Sequence, residues 1–275
     1  MSEKTVLITG CSSGIGRATA YAFLDEEWTV FATARNPADI ETLGEAGCII
    51  STLDVTEPPA VSRVVDEVLE ETGRIDALVN NAGYGQYGPL EDIDDSRFER
   101  QFAVNVFGPH RLIRAVLPHM RERESGTIVN ISSVVGRIGV PGMGTYVASK
   151  HALEGYSDAL RLEVEEFGID VSVVLPGPVQ TQFRSRVESE ISRLDRTDAY
   201  EPIYDLQEDA IRLSGDNPAA VHPATVAEVI LDAAVSPDPE PRYVVGPMAQ
   251  LLIYASYLPD RISDQLFGLA RRFFT

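Results

Sequence analysis

The sequence predicts one α/β domain, a doubly wound sheet of seven parallel strands with helices on both faces. Three observations lead there. Seven short apolar or β-branched runs recur: "TVLIT", "TVFATA", "CIISTLD", "ALVNNA", "TIVNIS", "DVSVVLP" and "RYVVG". Most are too continuous to have one wet face, as befits strands buried on both sides. Helical patterns separate them, and right-handed crossovers leave few other ways to connect such an alternation. Finally, 275 residues with 44% hydrophobic content suffice for one large domain over residues 1–275, with no internal repeat or low-complexity linker to divide it.

Taken in order, the first run leads into "TGCSSGIGRATA", with glycines at Gly10, Gly14 and Gly16. Gly10 permits a tight turn, Gly14 lets the backbone approach a pyrophosphate, and Gly16 lets the following helix pack closely on the strand. The helix start at "RATAYAFL" offers free N–H groups to that anion. A strand, this loop and a helix together predict a Rossmann-type dinucleotide site. The second run ends "VFATARNP", where an acid normally holds the adenosine ribose 2'-hydroxyl. Ala34 and Arg35 stand there instead. With no carboxylate to repel a 2'-phosphate and a guanidinium able to grip it, NADP(H) is expected over NAD(H).

After the third run, Val61, Val64, Val65, Val68 and Leu69 form a helical stripe, started by "EPPA" and stopped by "TGR". Past the fifth run, Ser132 and Ser133 lie at the sheet edge where doubly wound folds bind ligands. A serine there can donate a hydrogen bond to an oxygen that becomes negative during carbonyl reduction. Tyr146 and Lys150 follow, four apart and therefore on one helix face. The chain has 23 basic residues, of which only Lys4 and Lys150 are lysine, so a lysine at this place is conspicuous. A free phenol titrates near pH 10. A nearby ammonium and a positive oxidised nicotinamide both favour its phenolate, which makes the tyrosine a usable acid and base.

The spacing T-G-x3-G-x-G resembles that of the short-chain dehydrogenase/reductase family, and the later motifs occur in that family's order to about residue 181. The resemblance implies a nicotinamide-dependent oxidoreductase. Its catalytic set would be Asn105 in "FAVNVFG", Ser133, selected over Ser132 by S-x-x-G ending at Gly136, Tyr146 and Lys150. Asn105 would hold a water linking Lys150 to solvent. Cofactor contacts would come from Gly10, Ser12, Ser13, Gly14, Ile15 and Gly16, from Arg35, and from Asp54 and Val55 beside the adenine. Asn81, Ala82 and Gly83 would pack beneath the cofactor, Tyr146 and Lys150 would meet its ribose, and Pro176, Gly177, Val179 and Thr181 would fix the nicotinamide amide. Tyr84, Gln86, Ser133, Val140, Met143 and Phe183 would face the substrate. That mostly apolar set suits a hydrophobic ketone, aldehyde or alcohol. "VLPHMR" and the long tail are most similar to the hydroxysteroid and retinol dehydrogenase branch. A 3-ketoacyl thioester reductase is the alternative within the enzyme class, and a non-catalytic NADP-sensing protein the alternative outside it.

The alternation breaks at a charge-rich insertion, about 182–222, and at an apolar extension, about 247–275, which could line the cleft, pack on a partner subunit or lie on a membrane. A formal charge of -19 argues against nucleic acid and anionic lipid. With few lysines, it also fits a protein kept soluble by concentrated salt, so a halophilic source is expected. Cys11 and Cys48 lack the pairing of a disulfide framework or a metal site. "MSEKTVLITG" enters a strand at once, and no window holds about 18 uninterrupted apolar residues. A cytoplasmic homodimer or homotetramer acting on a small apolar substrate, with no transmembrane segment, is the expectation.

Overall fold

The computed structural model describes residues 4–214 and 220–259, together with 261, 262 and 265. All seven expected strands form: β1 (Thr5–Ile8), β2 (Thr29–Ala34), β3 (Ile49–Thr52), β4 (Ala77–Asn80), β5 (Gly126–Ile131), β6 (Ile169–Pro176) and β7 (Arg242–Val245). They make one parallel sheet in the order β3-β2-β1-β4-β5-β6-β7. The order reverses direction between β1 and β4. Loops leaving the carboxyl ends of these two strands therefore diverge to opposite faces and open a crevice, where ligands of such sheets bind.

Ten α-helices are described: α1 (Gly14–Asp25), α2 (Glu41–Glu45), α3 (Pro58–Thr72), α4 (Asp95–Phe102), α5 (Gly108–Glu122), α6 (Gly144–Val164), α7 (Phe183–Ile191), α8 (Glu201–Ser214), α9 (Pro223–Val235) and α10 (Pro247–Ala255). In α3 the sequence punctuation is visible. Pro58 opens the helix, where its missing N–H costs nothing, and Gly73 ends it at a left-handed φ of 70°. Val61, Val64, Val65 and Val68 are buried by it, each contributing about 1.5–3 kcal/mol of apolar burial.

Successive residues of β1 serve opposite faces. Val6 and Ile8 join Phe23 of α1 and Ile230 of α9 in one apolar layer. Leu7 joins Val64 of α3, Ile113 of α5 and Leu160 of α6 in the other. At the lower edge of the sheet, Asp76 accepts from the Thr5 N–H (2.8 Å), Arg74 Nε (2.7 Å) and Arg123 Nη2 (2.9 Å). At its far side, Arg242 of β7 ties the strand to α6 by donating to Glu154 (3.0 Å) and Asp158 (2.6 Å).

The insertion is helical, forming α7 and α8 before β7. It is fastened to the segment after β4 through Asp92, which accepts from Thr197 Oγ1 (2.6 Å) and from the hydroxyl of fully buried Tyr204 (2.5 Å). Residues 215–219 of the insertion and most of the extension beyond 259 lie outside the described residues. Among the described residues, no helix is long and apolar enough to cross a membrane.

Candidate active site

The glycine loop sits at the reversal crevice. Gly10 has φ +74° and Gly14 φ +58°, conformations that side chains with a Cβ rarely adopt. A Cβ on Gly10 would lie 2.9 Å from Ala82 Cα, and one on Gly16 would lie 2.5 Å from the Gly10 carbonyl oxygen. Asn81 holds the loop, with Nδ2 donating to the carbonyls of Thr9 (2.8 Å) and Gly10 (3.1 Å). No acid stands in the first turn of α1, and Ser13, its N-cap, makes no side-chain capping bond. The positive helix end is left uncompensated beside half-buried Ser12, Ser13 and Ile15. These features fit a dinucleotide pyrophosphate.

The other cofactor candidates surround this loop. Arg35 is exposed just past β2 and makes no hydrogen bond or ion pair with the described residues. Asp54 turns the chain by accepting from Thr56 N (2.9 Å) and Oγ1 (2.7 Å). Val55 is buried against Gly108, and Gly83 passes so near Asn105 that a Cβ would lie 3.3 Å from Oδ1. Pro176 ends β6, Gly177 donates to Val245 O (3.0 Å), Val179 bridges to Val221, and Thr181 packs over Gly14.

The catalytic candidates converge at the carboxyl end of β5. Ser133 Oγ accepts from the Val135 N–H (3.4 Å) and stands near enough to the Tyr146 phenol to draw its pKa down. Ser132 is buried, and its hydroxyl has no partner. Tyr146 is 7% exposed, and burial pushes its phenol up to about 12, partly opposed by Ser133. The expected lowering by Lys150 is not what the protein groups produce. Lys150 Nζ donates to the Ile131 carbonyl at 2.7 Å and lies 5.7 Å from the tyrosine ring centroid. Desolvation of the phenolate therefore prevails. Burial draws Lys150 itself down to about 8, against the attraction of Glu154.

Asn105 lies in a π-helical turn over Ala103–Phe107, a local widening often found at functional sites. Its Nδ2 donates to Tyr84 O (3.0 Å) and Ser149 Oγ (3.2 Å), and its Oδ1 accepts from Tyr84 N (3.2 Å). One wide turn therefore fixes both the loop after β4 and the helix that carries Tyr146.

Around Tyr146 an apolar cluster collects Val134, Val135, Val140, Met143 and Phe183. Two expected substrate residues are placed differently. Gln86 is 1% exposed, with its amide donating to Tyr87 O (3.1 Å) and its backbone N–H to Gln101 Oε1 (2.6 Å). It is a buried strut, because the loop must satisfy these groups away from water. Tyr84 turns its ring under Arg100, with the guanidinium 5.7 Å from the ring centroid, on the α4 side. The aromatic of this loop that reaches Tyr146 is Tyr87, its ring centroid 5.7 Å away, the same distance as Phe183. Sequence reasoning missed it, and missed Gly85, where a Cβ would lie 2.8 Å from both Phe183 Cζ and Tyr87 Cε1. The paired Gly–aromatic steps of "YGQYG" were the available signal. The extension contributes Ala249 and Leu252 to the same cluster, while Leu251 and Tyr254 point to solvent. Its first turns thus pack on the cluster that holds Tyr146.

The short chain dehydrogenase family model matches residues 4–192. Among curated relatives, the 3-ketodihydrosphingosine reductase of Bacteroides thetaiotaomicron is 36% identical over 265 residues, covering 95% of this chain and 96% of that protein. Retinol dehydrogenase 8 of Homo sapiens is 41% identical over 201 residues, covering 70% and 64%. A solved short-chain dehydrogenase from Streptomyces avermitilis superposes with a TM-score of 0.82 at 33% identity, covering 98% of this chain and 97% of its own. Solved neighbours hold either nicotinamide cofactor. One from Burkholderia phymatum contains NAD (TM-score 0.78, 26% identity, 93% and 92% covered) and a metagenomic oxidoreductase contains NADP (0.70, 27%, 89% and 97%).

Proposed function

Because the chain belongs to the short-chain dehydrogenase family, we propose that it is an NADP(H)-dependent oxidoreductase acting on an apolar carbonyl or secondary alcohol. The observation that carries this reading is the buried Tyr146 phenol, set beside Ser133 within an apolar cluster. When bound, the nicotinamide supplies or accepts the hydride. Gly10, Ser12, Ser13, Gly14, Ile15 and Gly16 hold its pyrophosphate, while Asp54, Val55, Asn81, Ala82, Gly83, Pro176, Gly177, Val179 and Thr181 frame the rest.

Ser133 donates to the substrate oxygen and steadies its growing negative charge. Tyr146, whose burial keeps the proton on the phenol at neutral pH, delivers that proton to the same oxygen in reduction and removes it in oxidation. Lys150 supplies positive charge behind the phenol, and Asn105 connects it towards solvent. NADP(H) is preferred because Arg35 stands free where an acid would repel a 2'-phosphate.

Val140, Met143, Phe183 and Leu252 make the cleft apolar, so a hydrophobic ketone, aldehyde or alcohol fits better than a charged sugar. Further support is that relatives covering two thirds or more of this chain carry the names retinol dehydrogenase and 3-ketodihydrosphingosine reductase. A cytoplasmic homodimer or homotetramer completes the reading.

The test is NADPH oxidation with a panel of apolar ketones, retinal-like aldehydes and a ketoacyl thioester. Tyr146→Phe is expected to bind NADPH normally and lose about 10²–10⁴-fold in turnover. Retained turnover in the variant would refute the assignment of Tyr146. Tight NADPH binding by the parent protein with no turnover on any carbonyl would replace the enzyme with a cofactor sensor.

A further inference from the structure

We propose that Arg186 of α7 is a ligand of the cofactor's pyrophosphate, and that one turn of α7 couples this contact to the substrate wall at Phe183. The proposal rests on the reading that the Gly10–Gly16 loop holds a nicotinamide dinucleotide. Arg186 Nη2 donates to Ser13 Oγ at 3.1 Å, joining positions 173 residues apart. Ser13 is the N-cap of α1, and its hydroxyl caps nothing. The guanidinium therefore stands at the mouth of the cradle, beside the helix end where an anion belongs.

Its charge is unmatched. Arg184 on the same helix donates to Glu188 at 3.1 Å, and Arg97 and Arg193 both reach Glu190. Arg186 makes no ion pair with any described carboxylate, although the chain carries 42 acidic residues. An exposed arginine with no carboxylate partner among the described residues is a local positive focus. A diphosphate is the ligand class whose charge and oxygen geometry suit such a fork.

The same short stretch reaches the chemistry. Thr181 packs over Gly14, where a Cβ would lie 2.9 Å from Thr181 Cγ2. Phe183 lies with its ring centroid 5.7 Å from Tyr146. Phe183 and Arg186 are three apart and so share one face of α7. The far end of the insertion is fastened separately, by Tyr204 and Thr197 on Asp92. The phosphate contact is thus positioned to set the near end of the insertion, and with it the aromatic wall over the phenol.

The experiment titrates NADPH and adenosine 2'-monophosphate, which lacks the diphosphate, against the full chain and its Arg186→Ala and Arg186→Lys variants, following nicotinamide fluorescence and calorimetry. Arg186→Ala is expected to weaken NADPH about tenfold, with Arg186→Lys between it and the parent. Binding of adenosine 2'-monophosphate should not change. Unchanged NADPH affinity, or equal weakening of both ligands, would overturn the phosphate contact. At saturating NADPH the alanine variant should keep a raised KM for the preferred carbonyl, by about threefold. A parental KM there would overturn the coupling to Phe183. Failure of the parent protein to bind either NADPH or NADH would overturn the dinucleotide reading, and this proposal with it.

Discussion

Gly85→Ala adds one methyl group between the rings of Phe183 and Tyr87. The backbone of Gly85 lies outside the left-handed region, so any cost is steric. The new Cβ would sit 2.8 Å from Phe183 Cζ and 2.8 Å from Tyr87 Cε1. Carbon atoms rest at about 3.5–4.0 Å, so each ring must retreat by about 0.7–1.2 Å. Both rings lie against that of Tyr146, with centroids 5.7 Å from its own. Overpacking of this kind costs about 1–3 kcal/mol of stability. That lowers the unfolding midpoint of a chain this size by a few degrees, at about 2–4 °C per kcal/mol. A displacement near 1 Å at a reacting centre costs about 10²-fold in rate, so kcat/KM should fall by about that factor. The assay is steady-state NADPH oxidation with the best carbonyl, alongside NADPH titration and thermal unfolding. Cofactor affinity should change by no more than about threefold, the coupling expected through α7. Parental kcat/KM in the alanine variant would refute the argument that Tyr87 and Phe183 position the substrate against Tyr146.

Two further outcomes follow from other parts of the fold. Asp76→Asn should cost about 2–4 kcal/mol at pH 7, because two arginines and the Thr5 N–H lose a charged acceptor that is 9% exposed. Burial alone would raise the Asp76 carboxyl, but Arg74, Thr5 and Arg123 hold it below its ordinary value of 3.8. A lowered folded value stabilises the protein above the unfolded value, and that stabilisation is lost as pH falls through the folded one. The difference in denaturation midpoint between parent and variant should therefore be full above about pH 5 and shrink below pH 4. A gap independent of pH would contradict this. Arg35→Ala should weaken NADPH about tenfold and leave NADH unchanged, as read by fluorescence titration. Unchanged NADPH affinity would make Arg35 a solvated surface arginine.

Much of the site was legible because its determinants are short in sequence. The glycine loop announces itself, since a tight turn and a close helix approach exclude Cβ atoms at fixed spacings, and Gly10 and Gly16 meet that exclusion in the structure. Tyr146 and Lys150 share one helix face by their separation alone. The strands were legible because burial on both faces leaves continuous apolar runs, and β4, β5 and most of β6 are buried throughout. Gln86 failed as a cleft residue for the opposite reason. Its fate depends on the carbonyl of Tyr87 and on Gln101 of α4, which no local pattern specifies.

From the sequence alone came the doubly wound sheet, the glycine loop, and the order in which Asn105, Ser133, Tyr146 and Lys150 appear along the chain. Periodicity and backbone sterics are local properties, written within a few residues of where they act. Tertiary structure alone decided that the Ser132 hydroxyl is buried without a partner, and that the Lys150 ammonium bonds Ile131 O. It also decided that the insertion hangs from Asp92 at one end and touches Ser13 at the other. Each of those outcomes sets a side chain against a backbone or charge brought near by folding. Desolvation and hydrogen-bond competition have no value until those neighbours are in place.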